Sequence, residues 1–362
     1  MNILKYSAAV LAATLLLAAC SDDEPEVPTI DPPTFTTGEG AYVLNQGNFY
    51  SGIAGSLDRI SLWHGTYTPG VFAAVNGQSL GDSPQAGIVY GSRLYIAMYG
   101  SNLVWVVDKL TARIVKQIET REPEGICAAE GCVYVSNNDG YVTRIDTLSL
   151  APTGQIAVGP NPAQLTAAGS YLYVSVSDGY NSAGGYADGF RVAKVDIAGG
   201  AFRKVKDITV GMNPGPIEAD SEGNVFVVCR GDYAATKPVI LKIAPDDSVT
   251  DFAPGSNIAV RGTTLYAVYN FTDWTTYESE TTYKAYRTTD GALLDAELLP
   301  AGNLPASPID IDVNPANGDL FIGTQPSAYD YTSPGYVYRY TSAGEFVCRY
   351  GAGVYPYAVI FY

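Results

Sequence analysis

The stretch Glu122–Gly159, EPEGICAAEGCVYVSNNDGYVTRIDTLSLAPTGQIAVG, decides the fold. It holds four short apolar runs with turn residues between them. A Pro is followed by an apolar strand, then Val-Tyr-Val-Ser-Asn, then a strand ending in Ile-Asp, then Ile-x-Val-Gly. Short runs punctuated by Gly, Asn and Asp are strands joined by tight turns. Variants of the unit recur to the last residue, and such a period dictates the architecture.

Working outward, inner strands are opened by Ser83-Pro84, Glu122-Pro123, Asn161-Pro162, Asn213-Pro214, Ser307-Pro308 and Tyr355-Pro356, with a degenerate opener, lacking Pro, at Gly255-Ser256-Asn257. A second strand follows each of the first six in chain order: Leu94–Met98, Val133–Ser136, Leu172–Val176, Val225–Cys229, Leu265–Tyr269 and Leu320–Gly323. The last opener ends the chain. At the other end Ala41–Asn45 is a second strand without an opener, and Ser56–Ser61 and Val71–Val75 read as its third and fourth strands. The two ends complete one unit between them, which predicts an all-β, seven-bladed β-propeller with four strands per blade, closed by strand exchange. Closure removes the exposed edges of an open array. Third strands ending in Asp108, Asp146 and Asp196 can start the next turn by bonding amides two residues on. Tyr95, Trp105, Tyr134 and Tyr173 read as packing between blades.

The 362 residues include 38 Gly, 28 Tyr and 22 Pro, in keeping with many strands and turns. Residues 1–19 read as a signal peptide, with Lys5 as its positive end and Ala8–Leu17 as an apolar run too short to span a bilayer comfortably. Leu17-Ala18-Ala19-Cys20 resembles the lipobox of bacterial lipoproteins, which implies lipidation of Cys20. Ser21-Asp22-Asp23-Glu24 resembles the acidic export tag of Bacteroidetes surface lipoproteins, so the implied address is the outer membrane, facing outward. Residues 20–39 then hold the lipidated Cys, the acidic tag and a Pro-rich tether at Val27–Thr37, and residues 40–362 form the propeller. With 37 acidic against 21 basic residues, the net charge of −16 should repel nucleic acid.

Catalytic chemistry is poorly represented. The single histidine, His64, falls in a turn between third and fourth strands, and no Ser-His-Asp set, phosphate loop or calcium-loop spacing is present. No catalytic residue, metal site or cofactor is expected. Asp310 and Asp312 share a face of an inner strand by period-two alternation, with Glu218 and Asp220 in similar positions two blades earlier. They would line the channel, where they bind a cation or bond neighbouring backbone and water. Cys127 and Cys132 flank a hairpin and could pair. The plainer reading makes them, with Cys229 and Cys348, small buried apolar residues.

Strand directions place the second-to-third loops on the face that also leads into each opener, and length varies there: Gln46–Gly52, Ser177–Gly189, Arg230–Pro238, Asn270–Thr281 and Gln325–Gly335. A scaffold that varies loops on one face uses that face. The candidate ligand-binding residues are Asn48, Phe49, Tyr50, Tyr99, Asn138, Asp139, Tyr180, Tyr186, Asp232, Tyr233, Phe271, Trp274, Tyr277, Tyr329 and Tyr331. Their large rings and adaptable polar groups make a recognition surface of modest ordering cost.

Val-Tyr-Val-Ser-Asn, Ile-x-Val-Gly and the recurrent Asn-Pro resemble the YVTN-repeat, or YncE-like, propeller. Tyr42-Val43-Leu44-Asn45-Gln46-Gly47-Asn48-Phe49 resembles the opening of YncE-like surface lipoproteins that include the cobalamin-binding BtuG-type group. That likeness implies capture of cobalamin or another large amphipathic molecule, and delivery to a TonB-dependent transporter barrel. A glycan-binding lipoprotein and a docking scaffold without a small ligand remain the alternatives.

Overall fold

The computed structural model describes residues 40–362 except residues 274, 275, 277 and 306. The signal segment, Cys20 and the tether lie outside the described residues, as do Trp274 and Tyr277.

The strands form seven four-stranded antiparallel sheets, and each inner strand neighbours those of the blades on either side until the last returns to the first. This is a seven-bladed propeller. Blade 1 contains β1 (Gly40–Asn45), β2 (Ser56–Ser61) and β3 (Thr66–Thr68), completed on the inside by β28 (Pro356–Phe361). The exchange pairs Ala41 with Phe361 and Val43 with Val359. The Tyr362 amide donates to the Gly40 carbonyl at 3.0 Å. A Cβ at position 40 would stand 2.5 Å from the Tyr362 ring, so a larger residue there would have to displace it. At the other end of β1, Asn45 accepts the Gly353 amide at 3.0 Å and donates to Asp58 at 2.6 Å.

Blade 1 departs from expectation at its rim. The outer strand is the short β3, and the run beginning at Val71 is a helix, Val71–Asn76, bounded by Gly70 and Gly77 at φ of 61 and 66°. Two glycines in left-handed conformation start and stop the coil, which a strand would not need. Val71 and Phe72 are buried, with the Phe72 ring 5.5 Å from that of Trp105 in blade 2. The Asn76 side chain donates to the Ala112 carbonyl and accepts the Ile114 amide, tying the helix to the rim of blade 2.

Blade 3 is the regular unit: Pro123–Ala129, Cys132–Asn137, Tyr141–Asp146 and Ala151–Ala157. The aspartates that end third strands work as expected. Asp108 accepts the Leu110 amide and Asp196 the Ala198 amide, both two residues on and at 3.1 Å, while Asp146 takes the Ser149 amide, three residues on, at 2.7 Å. The core lies between blades. Tyr95 packs with Val133, Val135 and Ile145, while Tyr134 packs with Leu172 and Val174 of the next blade. Cys127, Cys132, Cys229 and Cys348 are all free thiols. Cys127 faces Tyr134 across the hairpin, not Cys132, and burial pushes its thiol up to about 12.

Blade 6 contains the largest irregularity. Its strands β21 (Thr264–Asp273) and β22 (Glu278–Arg287) keep pairing through Asn270↔Thr281 to Asp273↔Glu278. The segment expected to be a loop is instead a hairpin arm. Alternating Tyr, Phe and Thr, suited to a half-exposed strand, sustain the ladder.

Candidate ligand-binding site

A backbone rule repeated around the channel mouth builds the site. In six blades the first residue after the second strand donates its N–H to the carbonyl of the residue before the inner-strand proline. Gln46 donates to Tyr355, Tyr99 to Ser83 and Asn138 to Glu122. Ser177 donates to Asn161, Arg230 to Asn213 and Gln325 to Ser307, all between 2.9 and 3.1 Å. In five blades the accepting residue has a positive φ: Ser83 50°, Glu122 44°, Asn161 45°, Asn213 55° and Tyr355 57°. None is glycine, and a following proline ordinarily drives its predecessor into extended backbone. The conformation is strained and persists because the surrounding bonds impose it.

All five strained residues line one open cavity of about 860 Å³ at the centre of this face, as do Gln46, Tyr99, Asn138, Ser177 and Arg230. A volume of that order suits a drug-sized or larger organic ligand. Blade 6 contributes nothing to the described lining. There Ser256 Oγ accepts the Asn270 amide at 2.9 Å, standing in for the carbonyl of the rule.

Several expected residues converge on the cavity. Tyr99 and Tyr180 share a hydrogen bond between their hydroxyls at 2.5 Å, and the Asn138 amide donates to both, at 3.3 and 3.1 Å. Asn48 in the blade 1 loop donates to the Tyr331 carbonyl at 3.0 Å, closing the ring of loops across the strand exchange. Phe49 and Tyr50 stand edge to face, with Tyr50 98% exposed on the rim. Tyr233 completes this group in the lining.

Others lie elsewhere. Tyr186, 5% exposed, is the core of its own loop, which fixes it there at φ 55°. Asp232 accepts the Ala234 and Thr236 amides and so shapes its own turn. Phe271 stacks on Tyr269 along the hairpin arm, with the Lys237 ammonium 5.2 Å above its ring. Asp139 and Tyr329 are outside the described lining. The loop lengths marked the face that holds the cavity but not which rings line it. The strained openers were missed because nothing in an Asn-Pro or Glu-Pro pair announces a positive φ.

From the rim a ladder of rings descends: Tyr331 stacks on Tyr355 and Tyr355 on Tyr357, each at 6.1 Å. Burial pushes the Tyr355 phenol up to about 12, so both its faces and its hydroxyl act as neutral contacts. Glu124 sits deep in the lining, where burial pushes its carboxyl up to about 7 despite the opposing charge of Arg230. Arg230 is the sole cationic residue of the described lining.

Beneath the cavity the channel continues as a space of about 250 Å³ lined by the inner strands, including Glu218, Asp310 and Asp312. Each carboxylate staples neighbouring blades. Glu218 accepts the Val260 amide at 3.1 Å, Asp310 the Asn257 side-chain amide at 2.6 Å, and Asp312 the Val359 amide at 2.6 Å. Burial pushes all three carboxyls up, Asp312 to about 7 and Glu218 to about 8. Among the described residues no group of carboxylates, histidines and cysteines is arranged to hold a metal ion. Asp220 differs from expectation: it turns from the channel to bind the Glu222 and Asn224 amides in a hairpin turn. His64 is exposed beside Ser61 at the rim. No described helix is long and apolar enough to cross a membrane.

No protein-family model and no curated protein matches the chain. Among solved structures it is similar to a quinonprotein alcohol dehydrogenase-like protein from Bacteroides thetaiotaomicron, at TM-score 0.62 and 16% identity over 90% of this chain and 78% of that one. A putative 6-phosphogluconolactonase from Bacteroides uniformis gives TM-score 0.62 and 13% identity, over 90% of this chain and 100% of that one. A functionally unknown protein from Desulfotomaculum acetoxidans gives TM-score 0.59 and 14% identity, over 89% and 98%. At these identities the likeness carries the propeller fold and nothing finer.

Proposed function

We propose that this chain is a lipid-anchored surface protein that captures a large amphipathic molecule, cobalamin or a related corrinoid, on its loop-rich face and passes it to a TonB-dependent transporter. The observation that carries the reading is the open cavity of about 860 Å³ at the channel mouth, walled by tyrosines and side-chain amides. Rings offer flat apolar surface to a macrocycle, and amides match a fringe of amides, with little side-chain entropy to lose. The hydrogen bonds that fix Tyr99, Tyr180 and Asn138 favour a preformed site. Gly40, where the described residues begin, lies at the opposite end of β1 from Gln46 of the cavity lining. Capture and hand-over need no catalytic group. The likeness of residues 42–49 to the YncE-like, BtuG-type lipoproteins supports the corrinoid.

Titration of the mature domain with cyanocobalamin, followed by calorimetry and by its visible absorbance, tests the reading. Saturable one-to-one binding is expected, and no binding at micromolar ligand would sink it. A glycan is favoured as second reading by the Tyr99–Tyr180–Asn138 cluster, which offers a sugar both a stacking face and hydrogen bonds. A glycan array separates the two.

A further inference from the structure

We infer that Arg230 is an anion receptor inside the cavity, and that the captured molecule carries a phosphate or carboxylate group which the Arg230 guanidinium binds. This rests on the capture reading for its site, and it adds a chemical requirement on the ligand.

Three features of the structure lead there. Arg230 is the sole cation of the described lining in a chain of net charge −16, and among the described residues no hydrogen bond or ion pair engages its guanidinium. A planar fork of donors left open in a cavity matches an oxyanion that can accept two parallel bonds. The side chain is also placed. Arg230 N–H is held by the Asn213 carbonyl at 3.0 Å, and the guanidinium lies over Gly215, where a Cβ would stand 2.3 Å from its central carbon. Finally, its surroundings leave the charge available. Glu124, an acid that feels this charge, has its carboxyl pushed up to about 7 by burial, and the phenols of Tyr355 and Tyr357, which also feel the charge, are neutral donors.

The test uses two ligand pairs in each of which only one member carries an anionic group. Cyanocobalamin carries a phosphodiester and dicyanocobinamide does not; sialyllactose carries a carboxylate and lactose does not. Affinities are measured by calorimetry for wild type, Arg230→Gln and Gly215→Ala, with thermal melting to verify folding. The Gly215→Ala variant keeps the charge and moves it. Wild type should bind the anionic member at least about ten-fold tighter, equivalent to about 1.4 kcal/mol. Arg230→Gln should abolish that preference, and Gly215→Ala should reduce it. If cyanocobalamin binds both Arg230 variant and wild type equally, the anion receptor is overturned and corrinoid capture stands. If no corrinoid binds but the sialyllactose preference depends on Arg230, the receptor stands and the corrinoid falls. Binding of neither pair overturns both.

Discussion

Blades 3 and 6 are built from the same repeat, and their differences show how this protein divides its labour. Blade 3 keeps every element of the rule: an inner-strand proline, a strained Glu122 before it, and a loop amide on the Glu122 carbonyl. Its seam to blade 4 is neutral, with the Ser136 hydroxyl accepting the Gly125 amide and donating to the Ala163 carbonyl. Blade 6 has no proline, replaces the carbonyl by Ser256 Oγ, extends an arm, and is bracketed by the carboxylates of Glu218 and Asp310. The five openers that combine the rule with a positive φ all line the cavity. The blade that breaks the rule stands outside the described lining. Regularity here positions the cavity lining, because strain repeated around a ring brings the same loop position inward each time.

The sharpest break would come in the shared cluster beside blade 3. Replacing Tyr99 and Tyr180 together by Ala should weaken ligand binding roughly 100-fold, about 2–3 kcal/mol, with the melting temperature nearly unchanged. Calorimetry on the double variant checks this, and wild-type affinity would move the site elsewhere.

The seams offer the next contrast. Burial, with the charge of Asp312 adding, raises the Glu218 carboxyl to about 8 against an ordinary 4.5. The folded protein therefore holds that proton more tightly than the unfolded chain. The contribution is fully present below about 4.5 and is lost as pH rises through about 8. Glu218→Gln stays neutral and still offers Val260 an acceptor. It should raise the melting temperature by roughly 2–4 °C at pH 8.5 and hardly change it at pH 5. Equal shifts at both values would show that the blade 6 seam does not ionise.

A smaller effect is expected at the substituted carbonyl. Ser256→Ala strips the Asn270 amide of its acceptor and should cost about 1–2 kcal/mol in urea unfolding. Smallest of all, replacing residues 270–281 by an Asn-Gly turn should alter stability by no more than about 0.5 kcal/mol, and small-ligand affinity not at all. Loss of affinity on trimming would bring blade 6 into the site.

Why some of this was legible in the sequence and some not follows from range. The strands, the ring and the strand exchange are written in period-two runs and turn residues, each a local signal. The helix at Val71–Asn76 escaped because Val-Phe-Ala-Ala-Val serves either period, and only the packing of Phe72 against Trp105 decides it. The arm escaped because Asn270 and Thr272 read as loop residues until Thr281 and Ser279 pair with them. Arg230 and Glu124 drew no notice because each sits in an ordinary strand or turn position, and their common cavity exists only once the ring closes.

The strand exchange has a mechanical consequence. β1 is hydrogen-bonded along both edges, to β2 and to β28, so a pull applied at Gly40 along the strand axis would act on both ladders together. Antiparallel bonds run across that axis, so a tug loads them in shear and all at once, not one by one as in peeling. β1, the strand against which the exchange is made, is therefore also placed to bear force along its length.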